Sequence, residues 1–297
     1  LTNQSPLVTT EWLQEHLEDP KVRIIDATTF LMPSTEEGRP YDVKSGKEAY
    51  EEGHIPGAVY GDIAGELADS NSASAFTVPS EEQFKEAIER LGVSDDTHVV
   101  VYDQIAVVGT NISASDWASR LWWHLRFEGF ENVSILEGGF RKWKHEGRNV
   151  ETGTNEYPKG NVTIARNTEL LATKEDVKRA TTDSNTVLLN CLSPADFSGE
   201  KNTYGRPGHI PTSHNVFFAS LNDDETFKVR EEQQLRDIFE PTGALDSSKK
   251  VIAYCGGGIA ATWNAFVLYL LGKKDVAVYD GSMTEWAGDS SLPLHTK

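Results

Sequence analysis

Short apolar runs recur along this chain, separated by longer stretches of mixed polarity. Val22-Arg23-Ile24-Ile25-Asp26-Ala27, Val99-Val100-Val101-Tyr102, Val133-Ser134-Ile135-Leu136, Thr186-Val187-Leu188-Leu189-Asn190 and Val251-Ile252-Ala253-Tyr254 are brief and rich in β-branched residues. Such runs predict buried strands. Between them, apolar residues fall at helical spacing. The pattern predicts helices over Thr10–Leu17, Glu81–Leu91 and Ala114–Phe127, a closing helix around Phe140–Lys144, and another carrying Ile259, Trp263, Phe266, Val267 and Leu270. Alternating strands and helices predict an α/β fold, each sheet mainly parallel and covered by helices on both faces.

The pattern occurs twice. Gly53-His54-Ile55-Pro56-Gly57-Ala58 returns as Gly208-His209-Ile210-Pro211-Thr212-Ser213, and Leu136-Glu137-Gly138-Gly139-Phe140-Arg141-Lys142-Trp143 as Tyr279-Asp280-Gly281-Ser282-Met283-Thr284-Glu285-Trp286. The run ending in Tyr102-Asp103 matches the one ending in Tyr254-Cys255, and Val22–Asp26 matches Thr186–Asn190. Features returning in one order mark a duplicated unit. Each copy spans roughly 130–150 residues, a normal domain size. The expected division is 1–150, a linker at 151–162 that begins in the Gly-, Pro- and Asn-containing run Glu151–Gly160, and 163–297. The halves differ at one point: Asp103 stands where the second half has Cys255. A nucleophile in one copy only predicts one active and one catalytically silent half.

Composition narrows the function. The chain has 297 residues, 38% hydrophobic and 25% charged, an ordinary globular profile. No run of about 18 apolar residues exists, so no membrane partner is expected. A net charge of −18 argues against nucleic acid, which needs Lys and Arg patches. Two cysteines, Cys191 and Cys255, make neither a disulfide framework nor a zinc site, so a reducing, cytoplasmic setting is expected. Leu1-Thr2-Asn3-Gln4 has no basic-then-apolar signal pattern. Because the chain begins without Met, a processed segment and a periplasmic or secreted location stay open.

Candidate chemistry centres on Tyr254-Cys255-Gly256-Gly257-Gly258-Ile259-Ala260-Ala261. This reads as strand, tight loop and helix N-terminus. Backbone N–H groups and the helix dipole favour an anion there, so a thiolate at Cys255 is expected to be stabilised. The N–H groups from Gly256 through Ala260 can form an anion-binding nest, and glycine permits the positive φ this requires. The plainer reading is a small buried cysteine followed by a turn.

Taken together, the two Gly-His-Ile-Pro motifs, the Tyr279-Asp280-Gly281-Ser282…Glu285-Trp286 signature and the Cys255 loop resemble the tandem-domain rhodanese family. That group contains thiosulfate and 3-mercaptopyruvate sulfurtransferases, and the resemblance covers nearly the whole chain. It implies two rhodanese-like domains, the second catalytic, with Cys255 taking sulfur from a small donor as a persulfide and passing it to cyanide or a thiol, without cofactor or metal. The non-enzymatic alternative is a carrier module relaying that sulfur between proteins. Cysteine-dependent phosphatases need Cys-x5-Arg for bidentate phosphate binding, but Ala261 stands at that place.

The chain departs from the family where the donor is chosen. Thiosulfate-type loops carry cations after the cysteine and mercaptopyruvate-type loops a Gly-Ser, whereas this chain has Gly256-Gly257. The family's Asp-x-Arg and following Arg read Asn190-Cys191-Leu192 and Asp196 here. The resemblance offers Asp62 as a site-facing acid, while the family's nearby His is Phe76. Arg206 is the nearest cation in sequence and a candidate substrate ligand. Cys191 ends a strand at the edge where such sheets hold their sites. It is either a resolving thiol for Cys255 or a small core side chain. His54, His209, Trp122, Trp123, Trp143 and Trp286 are expected in structural roles.

Overall fold

The structure, a computed structural model, describes residues 5–36 and 39–297. The tetrapeptide Leu1–Gln4 lies outside them. Two five-stranded sheets carry the fold. In the first the order is Leu7–Val8, Val133–Leu136, His98–Tyr102, Val22–Asp26 and Val59–Tyr60. The second repeats that order with Leu171–Ala172, Ala277–Tyr279, Lys250–Tyr254, Thr186–Asn190 and His214–Asn215. Every neighbouring pair within both sheets is parallel. The central strands are buried along nearly their whole length, as helix-covered parallel strands must be.

The repeat extends to individual bonds. Ile55 N–H donates to Tyr102 Oη at 3.1 Å, and Ile210 N–H donates to Tyr254 Oη at 3.1 Å. The Nδ1 atoms of His54 and His209 lie 2.7 Å from the carbonyls of Tyr50 and Phe197. Each Gly-His-Ile-Pro turn is thereby fastened to the tyrosine at the end of its central strand. These histidines organise turns.

Two helices join the halves. Asp116–Phe127 packs on Ala260–Leu270, with Ser119 Oγ and Thr262 Oγ1 2.7 Å apart and Trp122 edge-on to Phe266. One apolar core therefore runs through both halves. The first helix begins at Asp116 rather than Ala114, because Ser113 is held by its N–H and hydroxyl on Asp224 Oδ1 of the second half. Trp122, Trp123, Trp143 and Trp286 are all buried.

Two features lie beyond the alternating pattern. An antiparallel hairpin pairs Thr29–Pro33 with Tyr41–Ser45. The Gly- and Pro-containing run at 151–160 is strapped to the first half. Asn155 Nδ2 donates to Ala58 O, Tyr157 Oη to Gly57 O, and the Arg23 guanidinium lies 3.3 Å from the Tyr157 ring centre. No helix among the described residues is long and apolar enough to cross a membrane.

Candidate active site

Cys255 follows the strand Lys250–Tyr254 and lies five residues before the helix Ala260–Leu270. Its Sγ accepts the Gly258 N–H at 3.2 Å. Gly258 has φ +87°, and a Cβ there would meet the Asp280 carbonyl oxygen and Oδ1 at 3.0 Å, so glycine is required on both counts. The loop's carbonyls are drawn outward. Cys255 O accepts the Met283 N–H at 2.9 Å, and Gly256 O accepts the Thr284 N–H and hydroxyl at 3.0 and 2.8 Å. Ser282, at φ +49°, accepts the Cys255 N–H and donates to Tyr279 O. The repeated Tyr279-Asp280-Gly281-Ser282 signature thus scaffolds the loop. Among the described residues, the N–H groups of Gly256, Gly257, Ile259 and Ala260 have no protein acceptor, and that of Gly258 is the one bonded to the sulfur.

A cavity of about 220 Å³ covers the thiol. Cys255, Gly256, Gly257, Ile259 and Ala260 line it, together with residues of both halves. Tyr204 and Tyr41 occupy the space in which side chains at 256 and 257 would otherwise point. A Cβ on Gly256 would lie 2.0 Å from Tyr204 Oη, and one on Gly257 2.8 Å from Tyr41 Oη. Burial above all raises both phenols, with the nearby Cys255 adding to it, so both hydroxyls stay protonated. Phe76 stands 3.3 Å from the same Gly257 position.

Arg120 reaches this loop from the first half. Its Nη1 donates to Gly258 O at 3.1 Å and to Asp280 Oδ1 at 2.7 Å, and its Nη2 donates to Phe76 O. Asp280 Oδ2 accepts the Val78 N–H at 2.9 Å. This buried ion pair therefore spans both halves, and both Asp280 oxygens and both Arg120 amino nitrogens have partners, which is what makes buried charge tolerable.

Other sequence candidates make no hydrogen bond to Cys255 among the described residues. Asp62 lines a separate cavity of about 410 Å³ with Val43 and Ser45, and burial raises its carboxyl. Arg206 donates to the carbonyls of Ala287, Asp289 and Leu292, clamping the C-terminal segment outside the Cys255 cavity. Cys191 is a free, fully buried thiol whose Sγ is turned to Leu189 O at 3.7 Å. Burial pushes it well above the usual thiol range. Asn190 Nδ2 donates to Tyr254 Oη and its Oδ1 accepts the Leu192 N–H, so it braces strand ends.

Asp103 occupies the corresponding point of the first half. Its O accepts the Phe140 N–H at 2.9 Å, just as Cys255 O accepts that of Met283, and its Oδ2 accepts the Ala118 N–H at 2.9 Å. Its carboxylate thus sits inside the first turn of the helix that follows. Burial pushes this carboxyl from 3.8 up to about 7. Between those values the folded state holds a proton that the unfolded state has released, so stability falls as pH rises through this window. Asp103→Asn cannot titrate. Its stability relative to the parent is expected to rise from pH 4 to pH 7, by at most about 1.4 kcal/mol per pH unit, and to level off above. Urea denaturation across pH 4–9 measures this, and a difference that shrinks with pH contradicts it.

The rhodanese-like domain is matched twice along the chain, at residues 9–146 and 173–289. The chain belongs to the rhodanese family. Sulfur carrier protein TtuD from Thermus thermophilus is 33% identical over 302 residues, covering 97% of this chain and 95% of that protein. Thiosulfate sulfurtransferase from Rattus norvegicus is 35% identical over 288 residues, covering 94% and 91%. The crystal structure of SseA from Escherichia coli, the 3-mercaptopyruvate sulfurtransferase, superposes with a TM-score of 0.77 at 34% identity, covering 94% of this chain and 99% of that one. The two five-stranded parallel sheets are this family's fold, present in tandem.

Proposed function

We propose that this rhodanese is a sulfurtransferase whose nucleophile is Cys255. It takes sulfane sulfur from a small donor of the thiosulfate or 3-mercaptopyruvate kind and hands it to cyanide or a thiol. The observation that carries this reading is Cys255 in the wall of a cavity, its Sγ accepting the Gly258 N–H and the neighbouring loop N–H groups left without protein acceptors among the described residues. In the first half-reaction the Cys255 thiolate attacks the donor's outer sulfur. The new S–S bond forms as the donor's bond to that sulfur breaks, and its electron pair leaves with the donor residue. The terminal sulfur of the persulfide carries negative charge, and the free N–H groups of the 256–260 loop stabilise it. In the second half-reaction a nucleophile takes that sulfur and regenerates the thiolate. The first half, with Asp103 at the matching point, supplies cavity walls and the Arg120 brace and remains catalytically silent.

We place the protein in the cytoplasm, where both thiols stay reduced. A carrier role is the second reading, favoured by the likeness to the Thermus thermophilus sulfur carrier protein. Peptide mass spectrometry without reductant, after exposure to thiosulfate or 3-mercaptopyruvate, tests both. A gain of about 32 Da on the Cys255 peptide, lost on adding cyanide with multiple turnover, is expected for the enzyme. Loading that occurs from a protein persulfide but from neither small donor overturns the enzyme reading in favour of the carrier.

A further inference from the structure

The walls above Cys255 are more selective than sulfur transfer alone requires. Leu31, Tyr41, Phe76 and Trp117 come from the first half, and Phe217 and Phe218 from the second. No arginine is among the lining residues that the structure describes, and Lys201 and Asp196 cancel one another formally. The remaining acid, Asp116, is buried with its Oδ1 unpartnered. An inorganic dianion entering such a chamber leaves its water behind and gains a charge partner only at the loop. A carboxylate finds no guanidinium fork. An apolar ring gains from the same walls. Cavities of about 150 Å³ with apolar walls accept benzene, and this one is about 220 Å³.

We propose that the preferred donor is a sulfane-sulfur monoanion on an apolar, ring-sized body, with the ring against Phe76, Trp117 and Phe217 and the sulfur at Cys255. This rests on the persulfide reading above. With an aryl thiosulfonate the Cys255 thiolate bonds to the terminal sulfur. The bond between that sulfur and the sulfonyl sulfur breaks, and the electron pair departs with the aryl sulfinate. The hydroxyls of Tyr204 and Tyr41, beside Gly256 and Gly257, can donate to the departing sulfinate oxygens.

Three probes separate the terms in a cyanide-coupled assay: benzenethiosulfonate, methanethiosulfonate with the same charge and reacting group but no ring, and thiosulfate. Rates are divided by the uncatalysed reaction of each donor. The kcat/KM for benzenethiosulfonate is expected to exceed that for methanethiosulfonate by ~10-fold or more, the scale of burying a ring-sized apolar surface. Val107→Trp, and independently Leu31→Trp, fill the cavity and are expected to collapse the ratio towards one. A native ratio of one or below overturns the proposal while leaving sulfur transfer standing. So does a ratio unchanged in either tryptophan variant that still gains sulfur on Cys255. If none of the three donors adds sulfur to Cys255 in the native protein, the donor preference falls, and the persulfide reading falls with it only if 3-mercaptopyruvate and a protein persulfide also leave Cys255 unloaded.

Discussion

Cys255→Ser is expected to lose sulfur transfer by at least ~10³-fold while keeping its fold, because a single nucleophile carries the covalent step. Serine is close in size, and its Oγ can still accept the Gly258 N–H that Sγ accepts at 3.2 Å. The Ser282, Met283 and Thr284 bonds that shape the loop are made to backbone atoms and survive the change. What is lost is the soft, ionisable sulfur. Cys191 is no substitute, since it is buried, held high by that burial and turned to Leu189 O. Cys191→Ala is accordingly expected to retain turnover. Stopped-flow loading with the best small donor, together with circular dichroism, measures both variants. Turnover retained in Cys255→Ser removes Cys255 from the role given it, and turnover lost in Cys191→Ala with the fold intact makes Cys191 a working thiol rather than a core side chain.

Much of this architecture was legible in the chain because parallel strands buried on both faces leave an unmistakable apolar mark. The runs at Val99–Tyr102 and Val251–Tyr254 stand on the central strands His98–Tyr102 and Lys250–Tyr254, and the motif repeats foretold one sheet order used twice. Helix ends were less legible. Ala114 has helical character, but Asp224, distant in sequence, holds Ser113 out of the helix. The loop after Cys255 was readable because glycine at a positive φ is a local requirement, met at Gly258. The cavity's other walls were not readable, because they arise only when the halves meet. Tyr41 and Leu31 arrive on a hairpin whose strands lack the apolar runs of the sheets. Tyr204 lies in an irregular stretch that gave no periodic signal. Gly256 departs from the thiosulfate-type loop alone and Gly257 from both of the family's loops. Their physical reason, two tyrosine hydroxyls occupying the space, is visible only in three dimensions. Nothing in the sequence marks Arg120, which lies within the run Ala114–Phe127.

Arg120→Met is the second large effect expected, and it separates stability from positioning. The substitution leaves the Asp280 carboxylate buried without its cation and strips a donor from the carbonyls of Gly258 and Phe76. Breaking one side of a buried pair costs about 3–5 kcal/mol, most of it from the abandoned charge. Arg120→Lys keeps the charge but not the fork that reaches three acceptors, so it is expected to fall between the parent and Arg120→Met. The double variant Arg120→Met with Asp280→Asn removes the stranded charge and keeps an acceptor for the Val78 N–H, so most of the stability is expected to return. Activity is not expected to return with it. The Gly258 carbonyl is still unheld, and with it the orientation of the residue whose N–H meets Cys255 Sγ. Misplacement on the scale of 1 Å at a reacting centre costs about 10²-fold, so persulfide formation in the double variant is expected to stay ~10–100-fold slow, in kcat more than in KM. Urea denaturation and single-turnover loading read the two quantities separately. Recovery of both together means that Arg120 serves only to hold the halves in contact, whereas recovery of stability alone identifies it as the residue that aims the loop at the sulfur.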